Sequence, residues 1–103
     1  MDFTFATEPE IKAELGKRLA DLRIAKGLLQ SELAAKAAIG IATLHRIEQG
    51  EGATLSNFIR VMSALGRIDD MNALLLPRTI TIEALEKQHQ THQRKRVSRK
   101  PTM

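Results

Sequence analysis

Residues 41–46, Ile-Ala-Thr-Leu-His-Arg, bring together the most contrasting side-chain chemistry in this 103-residue chain. The planar guanidinium of Arg46 can donate to two acceptors at once, the spacing that guanine O6 and N7 present. His45 can donate or accept. Ile41 and Ala42 carry no polar atom and can meet only a methyl group such as that of thymine. This mixture suits base-pair edges in a major groove. A good two-pronged contact there is worth ~1–3 kcal/mol of discrimination. The segment offers one, so sequence preference would also lean on duplex shape and on the spacing of paired subunits.

Side chains read a groove only when something rigid aims them. Leu44 and Ile47 recur three apart, which predicts a helix over 41–48 with those two turned inward. Ile41, Ala42, His45 and Arg46 then face outward, with Thr43 near the edge. Gln30 opens a preceding helix over 30–37, whose apolar face is Leu33, Ala34 and Ala37. Ala38, Ile39 and Gly40 form the turn between them, and Gly50 ends the second helix. The small residues Ala34, Ala35, Ala37 and Ala38 let two helices approach closely at a steep angle, the requirement of a helix-turn-helix. The outer side of 40–46 is then the expected reading surface.

The stretch resembles the helix-turn-helix family of phage Cro and repressor proteins, also called the xenobiotic-response-element family, over roughly residues 11–75. The likeness rests on Gly27-Leu28, Gln30, Glu32-Leu33-Ala34, Thr43-Leu44, Arg46-Ile47-Glu48, Gly50, Leu55 and Ala64-Leu65-Gly66. Four positions depart from the family pattern. Leu29 stands where a Ser or Thr cap is usual, Ala38 where Gly is usual, Gly40 where Ser is usual, and Ile41 where the first reading position is polar. A lost cap costs about 1 kcal/mol, and a non-glycine residue at positive φ costs ~1 kcal/mol. The resemblance implies an all-α, five-helix DNA-binding bundle. It also implies that Gln30 meets the DNA backbone and that Glu48 is a structural acid paired with a base.

Gln30 has a second reading, as a cap of its own helix. For Arg46 the competing reading is an ion pair with Glu32 or Glu48, or a phosphate contact. His45 read blandly is a solvated ring, and Ile41 a cover for the edge of the core. Arg23, Lys26 and Lys36 are candidate phosphate contacts, or merely solvated cations.

The other elements follow from local signals. Phe3 and Phe5 alternate with Asp2 and Thr4, which predicts an extended stretch over 2–6 within an N-terminal arm, 1–7. Thr7-Glu8-Pro9-Glu10 has the form of a capping box. The helix it starts runs to about Lys26 on a stripe of Ile11, Leu15, Leu19 and Leu22, and Gly27 stops it. Thr54 can cap a fourth helix over 55–65, with Leu55, Phe58, Ile59, Met62 and Leu65 as its buried face and Gly66 as its end. A short fifth helix starts at Asp69 or Asp70 and carries Met71, Leu74 and Leu75. The helix-turn-helix domain thus spans 8–76. An extension over 77–91, a short strand or a helix capped by Thr81, precedes a basic tail over 92–103 expected to be disordered.

The net charge of +4 is unevenly placed. Residues 1–88 hold eleven bases and all twelve acids, a balance of −1, so the excess lies in Arg94, Lys95, Arg96, Arg99 and Lys100. Such a tail contacts phosphates or an acidic partner, or is solvated. The chain has no cysteine and no long apolar run or signal-peptide pattern, which points to the cytoplasm and away from membranes. No catalytic constellation or glycine-rich phosphate loop is present, so neither an enzyme nor a cofactor is expected. His89 and His92, with Glu86, fall short of a metal set. Ser98 after Lys95-Arg96-Val97 has a basophilic-kinase pattern.

Met62, Met71, Leu74, Leu75, Leu76, Ile80 and Ile82 exceed what one small core needs, which favours a homodimer on double-stranded operator DNA. A narrower likeness concerns NFIRVMSALGRIDDMNALLLP over 57–77, followed by a capped helix and a basic tail. It resembles the HipB-like antitoxins encoded beside HipA-type kinase toxins, and implies a nucleoid-associated bacterial repressor with such a toxin as partner. Stand-alone phage or chromosomal repressors share much of the pattern. A protein-interaction module with weak DNA binding is the competing class.

Overall fold

The computed structural model describes residues 1–78. Contacts gather Met1–Asn72 into one compact unit. Its elements are α1 (Glu8–Ala25), α2 (Gln30–Ala37), α3 (Ile41–Glu48), α4 (Leu55–Ala64) and a 3-10 segment over Ile68–Ala73. A short 3-10 turn, Phe3–Phe5, precedes them. There is no strand among the described residues. The expected all-α bundle is present, its fifth segment wound as 3-10 and ending before Leu74. The C-terminal extension from residue 79 onward, the basic tail, Ile80, Ile82, Glu86, His89, His92 and Ser98 lie outside the described residues.

Local chemistry sets the helix ends. The Thr7 hydroxyl accepts from Glu10 N and the Glu10 carboxylate accepts from Thr7 N, a complete capping box with Pro9 in the first turn. That backbone donor, then the Thr7 hydroxyl, holds the Glu10 carboxyl below the ordinary carboxylate range. Thr54 caps α4 by accepting from Asn57 N at 3.1 Å. Gly27 and Gly66 stand just past the ends of α1 and α4.

The core comprises Leu19, Leu33, Ala34, Ala37, Leu44, Ile47, Val61, Met62 and Leu65, with Leu22, Leu28, Ile39, Phe58 and Met71 packed against it. Helix α2 packs on both α3 and α4, and α1 packs on α3. Complete burial of Leu33, Leu44, Val61 and Leu65 stabilises the bundle by roughly 1.5–3 kcal/mol per side chain.

Three details differ from expectation. Residues 3–5 coil rather than extend, because the Asp2 carboxylate accepts from both the Thr4 N–H and the Thr4 hydroxyl. The turn sets the Phe3 ring 5.1 Å from the Arg18 guanidinium carbon. On α4 the buried face is Phe58, Val61, Met62 and Leu65, while Leu55 and Ile59 are exposed. Two apolar stripes fit helical spacing there, and contact with α2 selects the one containing Val61. Met62 accordingly serves the core and is not surplus.

Candidate nucleic-acid interface

Helix α3 is divided cleanly. Leu44, Ile47 and Glu48 are buried, Thr43 is half-buried, and Gly40, Ile41, Ala42, His45 and Arg46 are exposed. The outward residues fall at i, i+1, i+4 and i+5, a strip one helical turn long. Its N-terminal half is apolar, Ile41 and Ala42. Its other half is polar, His45 and Arg46. Arg46 Nη2 donates to Thr43 Oγ1 at 3.4 Å, a weak tether that keeps the fork over the strip. Neither Glu32 nor Glu48 takes Arg46, since both carboxylates are engaged elsewhere.

The roll of α3 is set from behind. Glu48 accepts from Arg23 Nε at 2.8 Å and Nη2 at 3.1 Å, and from Gln30 Nε2 at 2.9 Å. One buried carboxylate thereby ties the last turn of α3 to α1 and to the first residue of α2. Arg23 also donates to Leu28 O at 2.8 Å. Arg23, a candidate phosphate contact, is thus engaged in an internal ion pair. Its side chain is only 14% exposed.

Two glycines bring the helices this close: Gly16, which the sequence did not single out, and Gly50, expected there only as the end of the second helix. A Cβ on Gly16 would lie 2.4 Å from Ile47 O and 2.9 Å from Glu48 O. Only glycine lets the α1 backbone meet the end of α3. At Gly50 the backbone turns at φ +82 with Ala13 Cα within 2.8 Å of where a Cβ would stand, so both sterics and conformation exclude a side chain. The signal available for Gly16 was an isolated glycine inside a helical pattern.

Helices α2 and α3 share a further property. Leu29 and Gly40 precede them with extended backbone and give no side-chain acceptor to their first N–H groups. Glu32 supplies half a capping box by accepting from Leu29 N at 2.8 Å. Helices α1 and α4 are both capped by threonine. The uncapped N-termini are those flanking the strip and Gln30.

The profile of the helix-turn-helix domain matches residues 14–75. The chain belongs to the helix-turn-helix domain family. This membership makes it a DNA-binding regulator, and the match covers all of α2, α3 and α4. No curated protein was found to match the chain. No helix among the described residues is long and apolar enough to cross a membrane.

Within this helix-turn-helix domain the candidate residues separate. Ile41, Ala42, His45 and Arg46 form one surface with Thr43 at its margin, and Gln30 joins it through Glu48. Lys26 and Lys36 lie apart, lining with Arg60, Ile59 and Ser63 a cleft of about 640 Å³ that includes no α3 residue. Both sit at helix C-termini, where a cation offsets the carbonyl ends of the helix dipole. Arg60 Nη1 donates there to Ala38 O at 3.1 Å. Arg94, Lys95 and Arg96 lie outside the described residues.

Proposed function

We propose that the protein is a sequence-specific transcriptional repressor that binds operator DNA as a homodimer. The observation that carries this reading is the exposed strip Ile41, Ala42, His45 and Arg46, backed by buried Leu44 and Ile47 and braced through Glu48. Arg46 reads guanine, while Ile41, Ala42 and His45 complete the base contacts and Thr43 lies at their edge. Gln30, the uncapped N–H groups of α2 and those of α3 behind Gly40 hold phosphates. Helix N-termini suit anions because their amides are unsatisfied and their dipoles positive. One such domain covers too little DNA for tight binding, whereas two on a two-fold axis read half-sites about 34 Å apart. Lys26 and Lys36 in their cleft and Arg94, Lys95 and Arg96 in the tail add electrostatic attraction across all sequences.

The likeness of residues 57–77 to HipB-like antitoxins supports a finer reading. In it the dimer represses its own operon and joins a HipA-type kinase toxin, in the bacterial cytoplasm. Co-purification of the full chain from its native host, with the bound partner identified, tests this directly. A kinase supports the antitoxin role. Operator binding without a kinase partner supports a stand-alone repressor.

The exposed apolar pair Ile41-Ala42 favours one rival, a protein-interaction module with little DNA affinity. Titration of promoter duplex between about 50 and 200 mM salt separates the two. Binding through several Lys and Arg phosphate contacts weakens steeply across that range. Flat or absent binding assigns the surface to protein contact.

A further inference from the structure

We infer that the apolar half of the α3 strip reads the C5 substituent of a pyrimidine, so that thymine and 5-methylcytosine are accepted alike and their unmethylated counterparts are discriminated against. The inference rests on the DNA-binding reading above and deepens it.

Ile41 is 53% exposed at the first position of α3, and Ala42 beside it is also exposed. Leu44 and Ile47 already fill the inner side, so Ile41 is not needed to close the core. A β-branched residue in a helix is confined near one χ1 rotamer, which holds the Ile41 methyl groups outward. Ala42 adds no bulk that would keep the helix from the groove floor. In that groove thymine shows O4 and a methyl, and cytosine shows an amino group with none. Ile41 and Ala42 have neither donor nor acceptor with which to tell O4 from N4, so the methyl is the feature available to them. Methylating cytosine supplies the same group.

The polar half fixes where this pyrimidine lies. Arg46 stands four residues beyond Ala42 and five beyond Ile41, a rise of about 6 to 7.5 Å. That distance is about two base steps of roughly 3.4 Å. The half-site therefore places a methyl-bearing pyrimidine about two pairs from the guanine read by Arg46. Cytosine methylation at that position strengthens binding, which makes operator occupancy responsive to DNA modification.

The test uses the full chain and duplexes that it selects from random DNA. In one arm every thymine of the selected site is replaced by deoxyuridine, which removes methyl groups and leaves the pairing unchanged. Affinity should fall about four-fold for each methyl contacted. In the second arm a C·G pair at the mapped position is compared with its 5-methylcytosine form, which should bind tighter by a similar factor. Ile41→Ser should erase both differences. Equal affinity for thymine and uracil duplexes, with both bound, overturns the methyl inference and leaves the DNA-binding reading standing. Failure to enrich any sequence from the random pool overturns the DNA-binding reading itself.

Discussion

Arg23 and Glu48 form a two-pronged ion pair across 25 residues of sequence, with Nε to Oε2 at 2.8 Å and Nη2 to Oε1 at 3.1 Å. Their side chains are 14% and 3% exposed. Glu48 closes the helix that carries the strip formed by Ile41, Ala42, His45 and Arg46. A buried ion pair is a poor source of net stability against an apolar alternative, because both charges must be desolvated. Its value lies in direction. The planar guanidinium fork accepts the carboxylate in few orientations, so α3 is fixed in rotation as well as in position. Gln30 is recruited by the same carboxylate, which couples the two helices of the pair.

Removing one partner should therefore harm more than removing both. Glu48→Leu or Arg23→Met alone leaves a buried charge without its counterion and should destabilise the domain by about 3 kcal/mol. The double variant, apolar on both sides, should recover most of that loss while weakening selective DNA binding. Denaturant titration of the four proteins gives the coupling energy. Additive losses in the two single variants would remove the pair from its assigned role.

Gly16→Ala tests the close approach of α1 to α3. Alanine favours helix over glycine by about 1 kcal/mol. Here its Cβ would press on the Ile47 and Glu48 carbonyls, which are backbone and cannot rotate away. Overpacking of this kind costs roughly 1–3 kcal/mol, enough to cancel the propensity gain or exceed it. The expected result is unchanged or lower thermal stability together with weaker selective DNA binding. A plainly stabilised variant with full binding would show that the helices are free to separate.

The helix pair was legible in the sequence because its signals are local. Gly27 and Gly50 bracket it, Leu33, Leu44 and Ile47 recur at helical spacing, and the run of alanines admits close contact. The expected bounds 30–37 and 41–48 agree with α2 and α3. The fate of Arg23 was not legible, since nothing near residue 23 announces an acid 25 positions later. The resemblance did mark Glu48 as a paired acid, but the base it takes depends on tertiary packing. Helix α4 misled for another reason: Leu55, Ile59 and Val61 place apolar residues on more than one face, and periodicity cannot choose between stripes. In the arm, alternation suggested a strand, but the bonds from Thr4 to Asp2 are stronger than a pattern with no neighbouring strand to pair with.

Two of the family departures store recoverable stability. Ala38 sits at φ 57 and ψ 44, left-handed backbone that glycine tolerates better. Ala38→Gly should stabilise the domain by about 1 kcal/mol. Leu29 is 66% exposed and precedes α2 with φ −73 and ψ 158, so Leu29→Thr should add the missing cap at little apolar loss, for about 1 kcal/mol. The sites are nine residues apart and share no partner, so the gains should add in a thermal melt. No gain from threonine would mean that Glu32 already satisfies this helix start.

Acid should loosen the N-terminal end first. Thr7 holds the Glu10 carboxyl, and Arg18 the Glu14 carboxyl, below the ordinary carboxylate range. A depressed folded pKa makes the unfolded chain the stronger proton binder. The contribution is therefore fully present above the unfolded pKa and lost as pH falls through the folded one. Amide exchange along α1 should accelerate in that window at residues 8–14 before it does in α3. Simultaneous loss in both helices would show that the two ends of the domain open together.

Arg46→Ala separates base reading from simple charge. The guanidinium is exposed, weakly tethered to Thr43, and free of either acid expected to claim it. If it reads guanine, alanine removes two donors from one base pair and nothing from the others. Affinity for the preferred site should then fall by ~1–3 kcal/mol. Binding to random duplex should change little, and preference should relax at a single position when the site is permuted. The salt slope should stay near that of the unmodified chain, because no phosphate contact is lost. An equal loss on preferred and random DNA, with a slope reduced by about one, would move Arg46 from the bases to the backbone and leave Ile41, Ala42 and His45 as the only readers on the strip.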